Sequence, residues 1–412
     1  MATFFLLIIY MAFISLGLPD SLLGSAWPVM QTDLGVPLET AGLLFMTVTA
    51  GTIVSSMASG TLLKWFGTGK LTLISCIMTA GALLGFAAAP SLVWLIICAI
   101  PLGLGGGAVD AGLNNYVAAH YKAHHMSWLH CFWGVGATLG PIIMAQFISG
   151  PDSWRDGYLT VAGIQFALVI LLFVTLPLWN RVAKNNHAAL GEEKEDLHGA
   201  GDAHSESSEN SIKPLQVRGI KLALATFLFY SGAEATIGLW GSSFLVNMKE
   251  VPAAVGAQWV SLYYAGITVG RMVTGFITFK VSNRTLIRCG QITALAGAAL
   301  LILPLPPVFS LAGFMITGLG LAPIYPCMLH ETPVRFGRKH SQSIMGYQMA
   351  VAYVGSTFMP PLLGFLASFV GIGVFPFYIV LSAAAMLLFS EKLNAFLTAR
   401  KNAWKNNTTF TG

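Results

Sequence analysis

Twelve long apolar runs constrain the fold of this chain more than any other feature of its sequence. Each run holds between 20 and 29 residues, and a helix of about 20 residues crosses the roughly 30 Å apolar core of a bilayer. The apolar residues are continuous rather than alternating, so the pattern does not favour the strands of a transmembrane β-barrel. The predicted spans are 4–30, 40–63, 70–89, 91–118, 127–149, 157–179, 219–247, 254–280, 285–304, 307–331, 341–369 and 373–396.

The composition excludes several classes of protein. The 412 residues are 55% hydrophobic and only 9% charged, whereas a soluble domain carries roughly 25% charged residues. An ordinary soluble enzyme, a disordered chain and a nucleic-acid binder are therefore excluded. The sequence predicts an all-α membrane protein of twelve transmembrane helices, whose partners are the lipid bilayer and a small-molecule substrate. We expect a monomer that binds no nucleic acid.

The sequence carries no signature of an enzyme or of a cofactor site. It has no P-loop, kinase motif or nucleophile–base constellation, and its five cysteines fall in apolar runs without metal-ligand spacing. His120, His124 and His125 resemble a metal site only weakly, because no carboxylate or Cys is near them. We therefore predict a protein that is not an enzyme and needs no metal or cofactor. Coupling would use a gradient of H⁺, of Na⁺ as a variant, or of the substrate itself.

The basic residues predict the orientation of the chain in the membrane. If both termini are cytoplasmic, 19 of the 22 Lys and Arg residues fall in the inside loops and tail. Only Arg155 and Lys249 fall in outside loops, and Arg271 lies within a span. Because Lys and Arg are enriched on the cytoplasmic side of membrane proteins, we predict a multi-pass protein of the cell membrane with cytoplasmic termini.

The two halves of the chain repeat one another. In the best alignment of the first span of each half, Asp20 falls on Glu234 at an offset of 214 residues. Spans four and five likewise align with spans ten and eleven. The aligned segments are 17–24 with 231–238, 103–105 with 318–320, and 135–141 with 354–360. Two parallel repeats of six helices place a substrate site at their interface, near the middle of the bilayer.

A polar segment separates the two halves. Residues 180–218 contain seven acidic residues with Ser, Asn and His between them, and such a segment cannot bury apolar surface. We predict a six-helix bundle over 1–179, a flexible cytoplasmic linker over 180–218, a second six-helix bundle over 219–397 and a cytoplasmic tail over 398–412. The two bundles are expected to be pseudo-symmetric.

Five ionisable residues lie deep in the predicted spans. They are Asp20, Asp110, His130, Glu234 and Arg271. A charge at the centre of a bilayer costs at least a few kcal/mol, so each of these residues is a candidate for a function. For each one the alternative is a purely structural role, in which a polar neighbour satisfies the buried group.

Two carboxylates of the first half are the best candidates for a substrate and proton site. Asp20 follows Pro19, which removes a backbone donor and opens the helix locally. Asn114 follows Asp110 by four residues and lies on the same helix face. A carboxylate beside an amide can hold the hydroxyl groups of a polyol, and a low-dielectric environment favours reversible protonation. The alternatives are a carboxylate that caps the helix break and an Asp–Asn pair that joins two helices.

The remaining candidates are distributed over both halves of the chain. Glu234 mirrors Asp20, and pairing of Glu234 with Arg271 is the structural alternative to a role in transport. His130 can donate and accept hydrogen bonds, and the glycine-rich helix around it is expected to line the cavity. Four aromatic residues could stack on a sugar ring, although packing is the alternative for each of them: Trp27, Trp133, Trp240 and Tyr325.

These residues resemble a known family. Twelve spans in two repeats are similar to the major facilitator superfamily, although Lys64 stands where the loop after span two normally has an acidic residue. Within the superfamily, the chain resembles the fucose permease and glucose-galactose symporter group. The resemblance rests on Asp20, on the segment from Gly103 to Asn114, on 129–136 and on 319–326.

The resemblance implies proton-coupled uptake of a sugar by alternating access, with Asp20 and Asp110 as the essential acids. His130 and Trp133 stand where the fucose permease has amides, which argues against fucose as the substrate. The alternative function is export of amphipathic small molecules by proton antiport. It rests on the segment from Gly136 to Pro141, which resembles part of a motif associated with antiporters.

Overall fold

The computed structural model describes residues 2–121, 123–149, 153–197, 217–278 and 280–408. Within these residues every regular element is helical. Ten helical stretches of the described chain are long and apolar enough to cross a membrane. The helices are α1 (Ala2–Asp20), α2 (Leu22–Leu34), α3 (Thr40–Ala87), α4 (Leu92–His120), α5 (Ala123–Ile148), α6 (Trp154–Leu197), α7 (Ile220–Lys249), α8 (Ala253–Ile277), α9 (Asn283–Ile302), α10 (Pro307–Leu321), α11 (Ile324–Phe336), α12 (Arg338–Val370) and α13 (Phe375–Thr408), with a 3₁₀ turn at Ile372–Val374.

Two predicted spans meet at a kink within α3. The 48 residues of α3 cover the predicted spans 40–63 and 70–89. Its helical geometry is interrupted at Gly67, where φ is 70° and ψ is 163°. Glycine has no Cβ and adopts a positive φ at little steric cost, so this position allows the chain to change direction.

Two other predicted spans are each divided into two helices. The first span breaks at Ser21, between α1 and α2, immediately after Pro19 and Asp20. The span over 307–331 breaks at Ala322 and Pro323, between α10 and α11. A proline lies at or just before each interruption, and proline removes one backbone hydrogen-bond donor from a helix. The Pro19 pattern predicts the first break, whereas the second is a finding of the structure.

Each half of the chain has its own internal packing, and three helix pairs account for most of the contact between the halves. In the first half α3 packs on α4 and α6, while α1 packs on α5. In the second half α7 packs on α12 and α13, while α10 packs on α8 and α9. Between the halves α5 packs on α8, α2 on α7 and α3 on α12. Trp133 on α5 therefore lies on a helix that packs against α8, which carries Arg271. Asp20 lies just before α2, which packs against α7, the helix of Glu234.

The halves contact each other closely at the end of the bundle where α2 terminates, here called the α2 end. One contact lies one helical turn beyond Asp20 on the side toward this end, where a Cβ atom on Gly24, near the start of α2, would overlap the carbonyl oxygen of Gly238 on α7. A second contact joins α5 and α8, where the buried side chains of Ala145, Ala254 and Ala257 form a small apolar cluster. The two halves are therefore packed helix to helix between Asp20 and the α2 end.

A polar cluster holds α2 to its own half at the same end. Arg155 at the start of α6 pairs with Asp33 at 2.5 Å and donates to the carbonyl of Ala89 at 3.0 Å. The indole nitrogen of Trp154 donates to the same Asp33 carboxylate at 3.1 Å. Because α2 is tied to α6 in this way, we expect it to move with the first half.

The predicted linker and tail are only partly within the described residues. Helix α6 continues beyond the predicted span to Leu197, and α13 continues beyond residue 397 to Thr408. Residues 198–216 of the predicted linker and 409–412 of the predicted tail lie outside the described residues.

Candidate functional site

Asp20 lies at the break between α1 and α2, in the middle of the first predicted span. Its side chain is nevertheless exposed, so it faces accessible space inside the helix bundle. The indole nitrogen of Trp133, on α5, donates a hydrogen bond to Asp20 Oδ2 at 2.8 Å. The carboxylate is therefore available to a solute or a proton while one of its oxygens is held by a neighbouring helix.

Asp110 and Asn114 form a second polar pair on α4. Asn114 Nδ2 donates to Asp110 Oδ1 at 2.8 Å and to the Asp110 carbonyl at 2.9 Å. Asn114 Oδ1 is buried and has no hydrogen-bond partner among the described residues. Helix α4, which carries this pair, contacts α1 and α5 of the same half. The first half therefore contributes two polar groups to the interior of the bundle, Asp20 and the Asp110–Asn114 pair.

An ion pair lies on the facing side, in the second half. Arg271 Nη2 of α8 donates to Glu234 Oε1 of α7 at 3.1 Å and to the hydroxyl of Tyr230 at 3.3 Å. The hydroxyl of Tyr263 donates to the backbone carbonyl of Glu234 at 3.2 Å. The side chains of Arg271 and Glu234 are 15% and 17% exposed. This is the pairing that the sequence offered as the structural alternative for both residues.

The two sets of charged groups meet at Trp133. The Arg271 guanidinium lies over the Trp133 ring, 5.6 Å from its centroid, which is within the range of a cation–π interaction. Tyr264 of α8 meets the same ring edge-on, with a centroid distance of 6.4 Å. His130, one helical turn earlier on α5, contacts Phe13 edge-on and interacts electrostatically with Arg271. Groups from α1, α5, α7 and α8 are thus brought together.

Three of the four aromatic candidates do not present a free ring to this cluster. Trp27 and Trp240 are fully buried, and their indole nitrogens each donate at 2.8 Å to a backbone carbonyl, of Leu38 and of Pro360. Tyr325 is partly buried and packs against the rings of Phe227 and Tyr230. In this conformation Trp27 and Trp240 stabilise helix packing, whereas Trp133 belongs to the cluster.

Four tyrosines of the site were missed from the sequence: Tyr230, Tyr263, Tyr264 and Tyr353. Tyr230 precedes Glu234 by four residues, so helical spacing could have placed it beside the acid. Tyr263 and Tyr264 precede Arg271 by about two turns of α8, which puts them near the same helix face. Tyr353 interacts with both Asp20 and Asp110, but it lies on α12, and only the tertiary structure reveals this proximity.

Neutralising one partner of the Glu234–Arg271 pair is expected to destabilise the protein. Glu234→Gln leaves the guanidinium without its counter-ion, which we expect to cost about 1–3 kcal/mol because the pair is only partly exposed. The double variant Glu234→Gln with Arg271→Gln removes both charges and should recover most of that loss. The measurement is the Tm of each purified variant in detergent. Equal Tm values for wild type and Glu234→Gln would contradict the expectation.

A bundle of membrane-spanning helices in two halves, with charged and polar groups between them, defines a transporter architecture. The family model described as the Major Facilitator Superfamily matches residues 7–335. The chain therefore belongs to the major facilitator superfamily. It is a multi-pass membrane transporter and not an enzyme, and its resemblance to the superfamily is confirmed.

Individual proteins are similar to the chain at low identity. The Saccharomyces cerevisiae protein named Bypass of stop codon protein 6 is 24% identical over 393 residues, which are 88% of this chain and 77% of that protein. The glucose/mannose transporter GlcP of Bacillus subtilis is 24% identical over 279 residues, covering 66% of this chain and 65% of GlcP. The partially occluded inward open structure of the xylose transporter XylE from E. coli has a TM-score of 0.71 at 13% identity. It covers 95% of this chain and 98% of XylE, and at this identity the likeness shows the fold alone.

Proposed function

We propose that this protein takes up a sugar, or a similar small polar solute, together with protons by alternating access. The observation that carries the proposal is the exposed carboxylate of Asp20 at a helix break, together with a second polar pair, Asp110 and Asn114, on α4 of the same half. A carboxylate in a low-dielectric site can bind and release a proton, and its oxygens can accept hydrogen bonds from hydroxyl groups. Asp20 and Asp110 are the proposed proton and substrate ligands.

The unused hydrogen-bonding capacity of the cluster supports a polyhydroxylated solute. Within the described part of the chain, Arg271 Nε and Nη1 and the His130 ring nitrogens have no hydrogen-bond partner. An acceptor is available at the exposed carboxylate of Asp20, whose Oδ2 already accepts from Trp133. A sugar hydroxyl both donates and accepts, so it satisfies both kinds of group. The similarity to GlcP, a glucose/mannose transporter, favours the same class of solute.

We further propose that the chain crosses the membrane twelve times in two pseudo-symmetric bundles of six helices. At 1.5 Å per residue, 48 residues of α3 far exceed the roughly 20 needed for one crossing, and Gly67 divides them. Helix α8 has 25 residues, which is long enough to cross once. Its charged and hydroxyl-bearing residues, such as Arg271 and Tyr263, face other helices rather than lipid.

We propose a location in the cell membrane with both termini in the cytoplasm, since 19 of the 22 basic residues then lie inside. The α2 end would then face outward. The closed packing at that end corresponds to a state whose site opens toward the cytoplasm.

Fusion reporters test this orientation. A fluorescent protein that matures only in the cytoplasm, fused after the last residue, should fluoresce. A fused alkaline phosphatase, active only outside, should be inactive, and the reverse pattern would overturn the orientation.

Export by proton antiport remains the alternative because of the glycine-rich segment from Gly136 to Pro141. The structure gives these glycines a packing role. A Cβ on Gly136 would overlap the carbonyl oxygen of Ile14, and one on Gly140 would lie 2.6 Å from that of Leu18. Close approach of α5 to α1 therefore accounts for the segment without reference to the direction of transport.

Transport by purified protein in liposomes tests the proposal. Labelled hexoses and deoxyhexoses would be screened while a pH gradient or a sodium gradient is imposed separately. We expect a sugar to accumulate under the pH gradient and to equilibrate when the gradient is collapsed by an ionophore. Accumulation of sugar under the sodium gradient alone would show that Na⁺, and not H⁺, is the coupling ion. No sugar accumulation under either gradient would overturn uptake and favour the exporter.

A further inference from the structure

One side chain joins the charged groups of the two halves. Trp133 donates its indole N–H to Asp20 of the first half at 2.8 Å and presents its ring face to Arg271 of the second half at 5.6 Å. Arg271 in turn pairs with Glu234. The chain of contacts from Asp20 to Glu234 therefore passes through a single indole ring.

We infer that Trp133 is a positioning residue that links the protonation of Asp20 to the arrangement of the Arg271–Glu234 pair. The inference rests on the proposed proton-binding role of Asp20. It gives Trp133 a task different from the sugar stacking expected from the sequence, because its N–H and one ring face already have partners.

The geometry of the indole makes the two contacts interdependent. The N–H bond lies in the plane of the ring, whereas a cation binds over the face. A ring that keeps its N–H on Asp20 is thereby fixed in the orientation at which its face meets Arg271. Tyr264 contacts the same ring at an interplanar angle of 77° and restricts it further. A rotation that breaks one contact changes the other.

The chemistry of the carboxyl group supplies the switch. A charged carboxylate is a much stronger hydrogen-bond acceptor than a neutral carboxylic acid. Protonation of Asp20 therefore weakens the bond that holds the indole, and the ring becomes free to turn. Arg271 then loses the aromatic face and keeps only Glu234 and Tyr230. A proton bound in the first half in this way changes the surroundings of the cation in the second half.

Other groups also act on Asp20 and have to be considered in any test. Asp110 of α4, Tyr264 of α8 and Tyr353 of α12 interact with it electrostatically. Glu234 and Arg271 lie on the far side of Trp133. Within the described ranges of the chain, the side-chain hydrogen bond that Asp20 accepts comes from Trp133. The N–H group of Trp133 is therefore the feature to remove.

The test compares Trp133→Phe with a matched control, Trp128→Phe. The phenyl ring introduced by Trp133→Phe retains an aromatic face but has no N–H. Trp128 is a suitable control because it lies on the same helix and is 43% exposed. The first readout is the tryptophan fluorescence of the full-length protein in detergent, titrated from about pH 4 to pH 9 so that the Asp20 carboxyl group is followed from its protonated to its charged form. We expect a pH-dependent component in wild type and in Trp128→Phe. It should be absent in Trp133→Phe and in Asp20→Asn. Persistence of that component in either variant would overturn the link.

The second readout is transport in liposomes by the same variants. We expect Trp133→Phe to exchange sugar by counterflow within about threefold of wild type, but to lose at least about tenfold in accumulation driven by a pH gradient. Added to Asp20→Asn, it should cause no further loss. If Trp133 only fills space, counterflow, accumulation and Tm fall together, and the inference is wrong. If wild type shows the fluorescence component but no proton-driven accumulation of any solute, the link stands and the proposed function fails.

Discussion

Replacing Asp110 by Asn is expected to reduce the proton-driven accumulation of sugar by at least about a hundredfold, while sugar counterflow continues. Asn is nearly the same size as Asp and can still bond to Asn114, whose Nδ2 lies 2.8 Å from Asp110 Oδ1. It cannot, however, bind and release a proton, so substrate movement loses its connection to the proton gradient. Accumulation and counterflow of the same labelled sugar in liposomes would measure the two effects separately.

Asp33→Asn is the matched control for this experiment. Asp33 also carries a carboxylate, but it lies at the α2 end, is 44% exposed and pairs with Arg155. Its loss removes an exposed ion pair worth about 1 kcal/mol or less, so transport should stay near the wild-type level. Full proton-driven accumulation by Asp110→Asn would show that another acid, with Asp20 as the first candidate, carries the proton.

Gly24→Leu is expected to abolish transport by preventing closure of the α2 end. A Cβ at residue 24 would overlap the carbonyl oxygen of Gly238 and lie 2.9 Å from the Cα of Leu239. These are backbone atoms, which cannot move aside as a flexible side chain can, so α2 and α7 would have to separate. Alternating access requires both ends to close in turn, and we expect the transport rate to fall by at least about a hundredfold.

The open α2 end should be detectable by labelling. The experiment uses a variant in which Cys131, partly exposed on α5, is the one cysteine retained. A membrane-impermeant thiol reagent added from the α2 side should react with Cys131 at least about tenfold faster when Gly24→Leu is present than when it is absent. Gly163→Leu is the control, since a Cβ at residue 163 has no neighbouring atom within 4 Å among the described residues. Unchanged labelling together with normal transport in Gly24→Leu would refute the proposed closure.

Much of the fold follows from local properties of the sequence. The apolar runs predict the helices, and Pro19 predicts the interruption beside Asp20, because both effects depend on neighbouring residues alone. The break between α10 and α11 was missed, although Pro323 offered a signal of the same kind. The predicted spans over 40–63 and 70–89 lie on either side of the kink at Gly67, where the helical geometry of α3 is interrupted.

The candidate site was predictable only in part. An ionisable residue in an apolar run is conspicuous from composition alone, which singled out Asp20, Asp110, Glu234 and Arg271. Aromatic residues carry no such signal, because most of them in a membrane protein serve packing. The sequence treated Trp27, Trp133 and Trp240 alike, whereas the structure buries the first and third and leaves Trp133 between two charged groups.

The sequence by itself determined that this chain is a helical membrane protein with a few charged residues inside its apolar spans. Those properties follow from the cost of polar groups in lipid and from short-range backbone preferences. The sequence offered the Glu234–Arg271 pair as one alternative, and the tertiary structure decided which charges meet. The indole of Trp133 reaches Asp20 across 113 positions of sequence, and only the packing of α5 on α1 and α8 brings such distant residues together.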